Sequence, residues 1–415
     1  MSQLVNASKP RKIRLSKDLL RDVKRGHAWL YSSAVEPLKA ASGTVVSVWD
    51  RSGERFVGWG IYDPDHPIPV RVCTTTERDE LNDSWLFGRL KSAWELRQSY
   101  FRLGVFAEDN PSSSDLTNGF RWLGGEGDGV PGLIVDVYDK TAVMKLDGGA
   151  PADFYRAKGI ADWIVENTAV ERVVQRFRER GKAGEVIAGH SATESKPHVE
   201  PVAFLENGMR FTADVMLGQK TGFFLDQRDN RELIRRLASG RRVLNLYSYN
   251  GGFSIAAGLG GAEHVTSVDI ASAAIQDSQQ HWTSNGLAEE RHSAIAEDCF
   301  EFLSRAGKER RQWDLVICDP PSFARSERAR PQAIEAYAKL ARMASAVTAR
   351  GGLLASASCS SHVNKQAFLE ANYEALGRAR RKATLLADRG LPVDHPTPLA
   401  MPELRYLKFL LFQLD

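Results

Sequence analysis

The sequence predicts an α/β protein with a doubly wound, mostly parallel sheet in its C-terminal half, preceded by a small β-barrel and a small α/β segment. Three observations predict this fold class. Short β-runs broken by glycine and proline fill residues 10–82, mixed helical and strand patterns fill residues 83–200, and strands alternate with helical patterns over residues 206–415. The 415 residues are enough for roughly two to four domains.

The composition is that of an ordinary globular protein. Hydrophobic residues make up 43% of the chain and charged residues 26%, which excludes an intrinsically disordered chain. The chain has no apolar run of about 18 residues and no recognisable signal peptide, so we expect a cytoplasmic protein with no membrane partner. The net charge is only +3, so a surface for nucleic acid must be local. The four cysteines form no CxxC pair, which predicts reduced thiols and no metal site.

The N-terminal segment is strongly basic. Residues 9–25 contain eight lysines and arginines against two acids, and Leu19, Leu20 and Val23 follow at helical spacing behind Ser16. The pattern predicts a basic amphipathic helix capped by Ser16, which either contacts a polyanion or is simply a solvated face. Strand-like runs then predict a small barrel; they lie at residues 43–49, 56–62 and 68–73.

The middle of the chain mixes helices and strands. Helical patterns cover residues 83–104 and about 153–166, and strand patterns cover residues 132–138 and 170–177. The glycines of residues 124–129 precede a strand and accompany two acids, so we interpret them as turn glycines and not as a phosphate cradle. Residues 180–200 lack periodicity and predict a surface linker, in which His190 and His198 are solvated.

The C-terminal half carries the pattern of a parallel sheet. Its predicted strands are residues 243–246, 265–269, 292–295, 315–319, 353–358 and 406–414. The first strand runs into the turn Tyr247-Ser-Tyr-Asn-Gly-Gly-Phe-Ser254, and the second ends in Asp269. Glycines at a strand-to-helix turn, followed by such a carboxylate, favour binding of a nucleoside cofactor. We expect the Asp269 carboxylate to accept hydrogen bonds from the ribose hydroxyls of that cofactor. Asp298 could reach an adenine amino group, cap the next helix, or do both.

Two further strands end in residues suited to a reaction. One ends in Cys318-Asp-Pro-Pro-Ser-Phe323, where two prolines form a rigid ledge at the carboxyl edge of the sheet, the edge at which open α/β proteins bind ligands. The other ends in Ala357-Ser-Cys-Ser360, which places Cys359 beside that ledge as a candidate nucleophile. Cys318 lies inside its strand and is predicted to be a packed core thiol.

These motifs resemble those of one enzyme family. The turn of residues 245–254, the ledge Asp319-Pro-Pro-Ser-Phe323, Ser358-Cys-Ser360 and the segment Gln219-Lys-Thr-Gly-Phe-Phe-Leu-Asp-Gln-Arg228 are similar to those of bacterial 23S ribosomal RNA cytosine-5 methyltransferases with an N-terminal PUA domain. The resemblance covers nearly the whole chain. It implies a PUA-like RNA-binding domain at residues 10–82, a small α/β middle domain at 83–200 and a class I methyltransferase domain at 206–415.

The resemblance also implies a cofactor, a partner and roles for single residues. The cofactor is S-adenosylmethionine, and the partner is RNA, either 23S ribosomal RNA or a large-subunit precursor, with a homodimer left open. The implied catalytic residues are Cys359 and Asp319. The implied cofactor-binding residues are Asn245, Tyr249, Asn250, Gly251, Gly252, Asp269, Asp298 and Asp319. The implied substrate-binding residues are Pro320, Pro321, Ser322, Phe323 and Arg325.

The chemistry of cytosine explains why a cysteine is needed. Carbon C5 is a poor nucleophile until a thiolate adds at C6, and Cys359 is the candidate for that thiolate. Two other functions stay open: methylation of an exocyclic amine, guanine N2 or adenine N6, which needs no cysteine, and a non-catalytic PUA-type RNA-binding factor. In each case we expect RNA to be held by residues 9–25 and by Arg325, Arg328 and Arg330.

Overall fold

The computed structural model describes residues 3–101, 117–177, 179, 181–189, 200–324 and 326–415. Contacts between residues divide the chain into two compact units. The first unit comprises Met1–Gly208, Thr212–Leu225 and Val393–Pro402, and the second comprises Met209–Phe211, Asp226–Pro392 and Glu403–Asp415. Within the described ranges, no helix has the length and apolar character needed to cross a membrane. The predicted three-domain boundaries stay a prediction.

The first sheet of the first unit is built from the N-terminal residues. Its five strands, in the order β1-β3-β4-β5-β2, are β1 Arg11–Arg14, β2 Trp29–Leu30, β3 Thr44–Trp49, β4 Phe56–Tyr62 and β5 Val70–Thr74. Apolar residues on one side of these strands form a buried cluster with Val23. Gly60 has to be glycine, because a Cβ there would lie 2.7 Å from the Arg71 carbonyl oxygen of the paired strand.

The predicted N-terminal basic helix is wrong for most of its length. The chain first forms β1, which pairs in parallel with β3 and buries Ile13, and only then forms the short helix α1, Leu20–Lys24. Ser16 does not cap this helix: its hydroxyl donates to the Ser33 carbonyl oxygen, and the cap position is Leu19. Pairing with β3 satisfies the backbone over these residues, and a basic pattern in the sequence does not reveal such pairing.

The second sheet of the first unit follows in the middle of the chain. Its strands run in the order β10-β9-β8-β7-β6; they are β6 Gly119–Gly124, β7 Leu133–Tyr138, β8 Thr141–Leu146, β9 Arg172–Arg176 and β10 Glu185–Gly189. The accompanying helices are α2 Asp83–Tyr100, α3 Gly149–Phe154 and α4 Ala157–Asn167. The strand β10 lies where we predicted only a linker, and a single predicted helix proves to be α3 followed by α4. His190 and His198 lie outside the described residues.

The glycine-rich turn of residues 124–129 is confirmed as a structural turn. It forms a short 3₁₀ segment, and Gly129 has a φ of 70°. Its two acids bind buried arginines: Glu126 accepts from Arg71 at 3.0 Å, and Asp128 accepts two hydrogen bonds from Arg97, at 2.6 and 2.8 Å. The carboxylates therefore fix this turn within the first unit.

A two-stranded sheet and a large sheet complete the chain. The pair is β11 Val202–Glu206 and β12 Met209–Ala213. The seven-stranded sheet of the second unit has the order β15-β14-β13-β16-β17-β19-β18; its strands are β13 Arg242–Leu246, β14 His264–Asp269, β15 His292–Ala296, β16 Trp313–Cys318, β17 Thr348–Ser358, β18 Ala383–Arg389 and β19 Lys408–Leu414. Its helices are α5 Arg228–Leu237, α6 Gly252–Leu259, α7 Ser272–Ser284, α8 Cys299–Lys308, α9 Arg330–Val347 and α10 Lys365–Arg378.

The predicted strands of the large sheet are confirmed, and one more is present. The strands β13 to β17 pair in parallel, as their alternation with helices predicts, and β19 runs antiparallel to β17. The strand that we did not predict is β18, at the edge of the sheet. Most of its residues are exposed, so it lacks the buried apolar run by which most of the other strands were recognised.

The buried pair of Arg97 and Asp128 makes a stability prediction. Asp128→Asn leaves the fully buried Arg97 guanidinium without its countercharge, so we expect the free energy of unfolding to fall by about 3 kcal/mol. Urea unfolding followed by circular dichroism measures this. The control is Glu95→Gln on α2, the helix that carries Arg97. Glu95 forms an exposed 3.8 Å ion pair with Lys91, which is worth about 0.5 kcal/mol. Equal effects of the two substitutions would contradict the prediction.

Candidate active site

The candidate site is built at the carboxyl ends of neighbouring parallel strands. In the register of the sheet, Leu246 at the end of β13 pairs with Cys318 at the end of β16, and Cys318 pairs with Ser356 near the end of β17. The residues that follow these three strands therefore leave the sheet at one edge. They are the glycine turn (residues 247–251), the ledge (residues 319–323) and the cysteine loop (residues 359–364).

The glycine turn has an unusual backbone. Tyr247, Tyr249 and Gly251 all have positive φ values, of 58°, 47° and 85°, and the first two are not glycines. Such conformations cost free energy and cluster at functional sites. A Cβ on Gly251 would overlap Ser278 Oγ of α7, so glycine is also required for helix packing. The His281 ring Nδ1 donates to the Asn250 carbonyl oxygen at 2.8 Å and supports the turn from α7.

The two predicted carboxylates lie at or just after the ends of β14 and β15. Asp269 ends β14, and its oxygens accept from the Tyr249 N–H at 2.9 Å and from the Ala271 N–H at 2.9 Å. The first bond ties the carboxylate to the glycine turn. Asp298 caps α8, because its Oδ1 accepts from the Phe300 and Glu301 N–H groups, as predicted. This cap uses one oxygen of Asp298, and each carboxylate oxygen has two lone pairs, so both side chains keep acceptor capacity.

Several buried polar atoms around the glycine turn have no hydrogen-bond partner in the part of the chain that the structure describes. Among the described residues, four buried polar atoms in or next to the glycine turn have no hydrogen-bond partner: Asn245 Oδ1, the Tyr247 hydroxyl, Ser248 Oγ and Ser278 Oγ. Buried polar groups are nearly always paired, so such a cluster indicates that a polar ligand completes it. The residues present therefore suit a nucleoside cofactor, with Asp269 and Asp298 as the acceptors that would hold it.

Asn245 differs in position from the other predicted cofactor residues. It lies inside β13 and is buried, and its amide nitrogen donates to Ser254 Oγ at 2.9 Å. Gly252 is the first residue of α6, packed against the Arg231 side chain, where a Cβ would lie 3.1 Å from Cδ. A direct hydrogen bond from the Tyr249 N–H joins the turn to Asp269, whereas Asn245 contacts Ser254 of α6.

The ledge begins with a half-buried carboxylate. Asp319 directly follows β16, and its backbone N–H donates to the Leu246 carbonyl oxygen at 3.5 Å. Pro320 is buried, Pro321 is exposed, and Ser322 and Phe323 are half-buried. The Phe323 ring packs against Tyr337 of α9 with 4.8 Å between centroids. Arg325 lies outside the described residues.

Cys359 differs from the other three cysteines by its exposure. Cys73, Cys299 and Cys318 are buried, and burial raises the pKa of Cys299 to about 12. Cys359 is half-buried, and its Sγ lies 4.0 Å from the Pro320 carbonyl oxygen of the ledge. The predicted position of Cys359 beside the ledge is confirmed, as is the burial of Cys318. His362 does not pair with Cys359; its Nδ1 lies 3.3 Å from Glu327.

A hydroxyl network that the sequence did not reveal holds the cysteine loop to the ledge. The Ser360 hydroxyl lies 2.9 Å from the Ser322 hydroxyl and 2.8 Å from the Tyr337 hydroxyl, and it accepts from the Ala324 N–H at 3.3 Å. Ser360 is fully buried. The neighbour of Cys359 is therefore fixed to the ledge by three polar contacts.

A buried lysine completes this cluster and was also missed. Lys408 Nζ donates to the Ser360 carbonyl oxygen at 2.6 Å and to the Tyr406 carbonyl oxygen at 2.7 Å. Burial lowers the pKa of Lys408 to about 8, and the interaction with Cys359, which favours the protonated lysine when the thiol is ionised, opposes this. The sequence did contain a signal, because a lysine opening the apolar run Lys408-Phe-Leu-Leu-Phe is unusual in a buried strand.

The glycine turn makes a testable prediction. Gly251→Ala puts a side chain into a left-handed conformation and against Ser278, so we expect S-adenosylmethionine to bind at least about tenfold more weakly, from about 1–2 kcal/mol of strain. Calorimetric titration of the folded variant measures this. Gly286→Ala is the matched control, because its φ is 69° but nothing lies within 4 Å of the added Cβ. Unchanged affinity in Gly251→Ala would remove the turn from the cofactor site.

The chain is similar to known proteins over nearly its whole length. A family model described as S-adenosylmethionine-dependent methyltransferase matches residues 160–377, and a PUA-like domain model matches residues 13–75. The chain is 39% identical to a ribosomal RNA large subunit methyltransferase of Deinococcus radiodurans, over 99% of both chains. It is 32% identical to the ribosomal RNA large subunit methyltransferase I of Alteromonas mediterranea, over 95% of this chain and 96% of the relative.

Solved structures show the same fold. A proposed SAM-dependent methyltransferase from Streptococcus mutans aligns with a TM-score of 0.79 at 24% identity, over 97% of this chain and 99% of the other. A second structure, of a proposed methyltransferase complexed with S-adenosylhomocysteine (SAH), aligns with a TM-score of 0.80 at 23% identity. The alignment covers 98% of this chain and 100% of the other. The predicted fold class, a class I methyltransferase sheet with an N-terminal PUA-like domain, is confirmed. The chain belongs to the family of S-adenosylmethionine-dependent methyltransferases.

Proposed function

We propose that this protein methylates carbon C5 of a cytosine in large-subunit ribosomal RNA, with Cys359 as the nucleophile. The observation that carries the proposal is the position of Cys359: it is the half-exposed cysteine, and it lies 4.0 Å from the ledge carbonyl of Pro320 at the carboxyl edge of the sheet. The choice of RNA is supported by the names of the relatives, which are large-subunit ribosomal RNA methyltransferases, and by the match to a PUA-like domain.

In this proposal, different residues of the chain bind the cofactor and the pyrimidine. The bound cofactor supplies an electrophilic methyl group on a positively charged sulfur. The glycine turn, Asp269 and Asp298 hold this cofactor in the proposal, and Asn245 contacts Ser254 of the helix that follows the turn. Asp319 and the ledge prolines receive the pyrimidine, where the Asp319 carboxyl group hydrogen-bonds its polar edge. Ser322 and Phe323 line the same ledge.

The reaction follows from the chemistry of a thiolate. The Cys359 sulfur adds to C6 of cytosine, and the electron pair of the C5–C6 double bond becomes available at C5. Carbon C5 then takes the methyl group, while the electron pair of the broken methyl bond stays on the cofactor sulfur. A base removes the C5 proton, and the electrons of that C–H bond restore the double bond and expel the Cys359 thiolate.

The nucleophile can be trapped as a covalent adduct. RNA transcribed with 5-fluorocytosine has no C5 proton to remove, so we expect it to remain bonded to the protein after methyl transfer. A shift in a denaturing gel and mass spectrometry of the attached peptide measure this. Cys359→Ala is expected to lose both the adduct and methyl transfer and to keep S-adenosylmethionine binding.

The control for this experiment is a cysteine that the site does not use. Cys73→Ala removes a buried thiol of the first unit and should keep the adduct. If Cys359→Ala methylates at a normal rate and the product is an N2-methylguanosine or an N6-methyladenosine, the ledge acts on an exocyclic amine and the proposal is wrong.

We also propose that the basic N-terminal residues grip the RNA. The lysines and arginines of residues 9–25 are exposed, and Lys12 lies over the Trp49 ring at 4.2 Å from its centroid. Near the ledge, Arg328 is exposed and Arg330 pairs with Glu327 at 3.4 Å. Cations beside aromatic rings suit a single-stranded segment of RNA, because phosphates meet the charge and bases can stack.

Neutralising two of these arginines tests the RNA surface. Arg11→Gln with Arg21→Gln should weaken binding to a large-subunit RNA transcript about tenfold, and the slope of log affinity against log salt should fall by about one to two. Filter binding at several salt concentrations measures both. Arg378→Gln with Arg380→Gln removes the same charge from exposed positions at the end of α10 and serves as the control. An equal loss in the two double variants would show only a general charge effect.

A further inference from the structure

The lysine that opens the last strand has an unusual environment. Lys408 is only 3% exposed. It lies directly opposite Ser358 in the antiparallel pairing of β19 with β17, so its side chain starts at the level where the cysteine loop begins. Its Nζ donates to the carbonyl oxygen of Ser360, the residue next to Cys359. The lysine thus holds the cysteine loop from the side opposite to the ledge network of Ser322 and Tyr337.

The hydrogen-bond partners of the Lys408 ammonium group are main-chain carbonyl oxygens. Within the described ranges, Lys408 forms no ion pair, and its two hydrogen bonds go to the main chain of Ser360 and Tyr406. Burying a cation among neutral groups is costly, and the cost falls when an anion lies nearby. Burial lowers the pKa of Lys408 to about 8, and a thiolate at Cys359 acts in the opposite direction, because it favours the protonated lysine.

We propose that Lys408 is a positioning residue that holds the cysteine loop and whose ammonium charge keeps Cys359 in its reactive thiolate form. The reason is that electrostatic stabilisation is mutual: a thiolate that favours the protonated lysine is itself favoured by that lysine to the same extent. The proton that leaves the thiol goes to solvent. The inference rests on the proposed function only in that the thiolate serves there as the nucleophile.

The pH dependence gives this role a signature. The thiolate fraction rises with pH in any cysteine, and a neighbouring cation moves that rise to lower pH. In this proposal a protonated Lys408 raises the thiolate fraction of Cys359 at neutral pH, and above about pH 8 the lysine loses its charge and this influence. Lys408→Met keeps an unbranched chain of similar length and removes the charge. The rise in the thiolate fraction of Cys359 should therefore move to higher pH.

The rate at which iodoacetamide alkylates Cys359 tests the inference without RNA or cofactor. This reagent is uncharged, so its approach is insensitive to the lysine charge, and mass spectrometry of the peptide that contains Cys359 follows the reaction. We expect alkylation of Lys408→Met to be about tenfold slower than that of the unaltered protein near pH 7 and to equal it near pH 10, where both are thiolates. Cys359→Ala reports the background from the three buried cysteines.

A second variant separates charge from folding. Lys408→Arg keeps a permanent positive charge, so it should keep fast alkylation near pH 7. It also tests the inference if Lys408→Met fails to fold, which near-ultraviolet circular dichroism would reveal. Alkylation of Lys408→Met that matches the unaltered protein at every pH, or is slower by the same factor at every pH, would overturn the electrostatic role. Whether Cys359→Ala still methylates RNA tests the proposed function. The alkylation rates test only the role of Lys408, so the two hypotheses can fail separately.

Discussion

The parallel pairing of β13, β16 and β17 is the constraint on which the whole site depends. Because Leu246, Cys318 and Ser356 lie side by side in the register, the glycine turn, the ledge and the cysteine loop leave the sheet at one edge. The antiparallel entry of β19 adds the buried Lys408 at that edge, opposite Ser358. The strand pairing alone thus brings together four segments that are far apart in sequence. A one-residue shift in the pairing of one strand would turn its side chains to the other face of the sheet.

Polar contacts with little access to water give this edge its precision. Each hydrogen bond around Ser360 contributes about 1 kcal/mol, but leaving a buried partner unpaired costs more, about 1–3 kcal/mol. The network therefore tolerates one arrangement of the cysteine loop far better than any other. The glycine turn works differently, because it holds a strained backbone by means of Asp269 and His281 and keeps polar atoms without partners for a ligand to satisfy.

Local patterns predicted the fold of the second unit well, because most of its parallel strands are buried, largely apolar runs followed by turn residues. The strand β18 was missed because it is an exposed edge, and the helix predicted for residues 9–25 was wrong because β1 depends on a partner strand more than thirty residues away. Within the site, Cys359 and the ledge were found from their places at strand ends. Lys408 stands out in the sequence at the start of an apolar strand, but its contact with the cysteine loop depends on the pairing of β17 with β19. The contacts of Ser360 depend on the packing of the ledge and α9 around it, which no local pattern reveals.

The first unit takes one of its pieces, Val393–Pro402, from the part of the chain that lies between β18 and β19. In that piece the buried Asp394 accepts the Arg121 N–H at 2.9 Å with its side chain and an Arg97 hydrogen bond at 3.0 Å with its carbonyl. During synthesis on the ribosome, residues 1–208 therefore emerge long before this last piece exists. The first unit therefore stays incomplete until most of the second unit has been translated. A chain truncated within the large sheet would leave the first unit with unpaired buried groups.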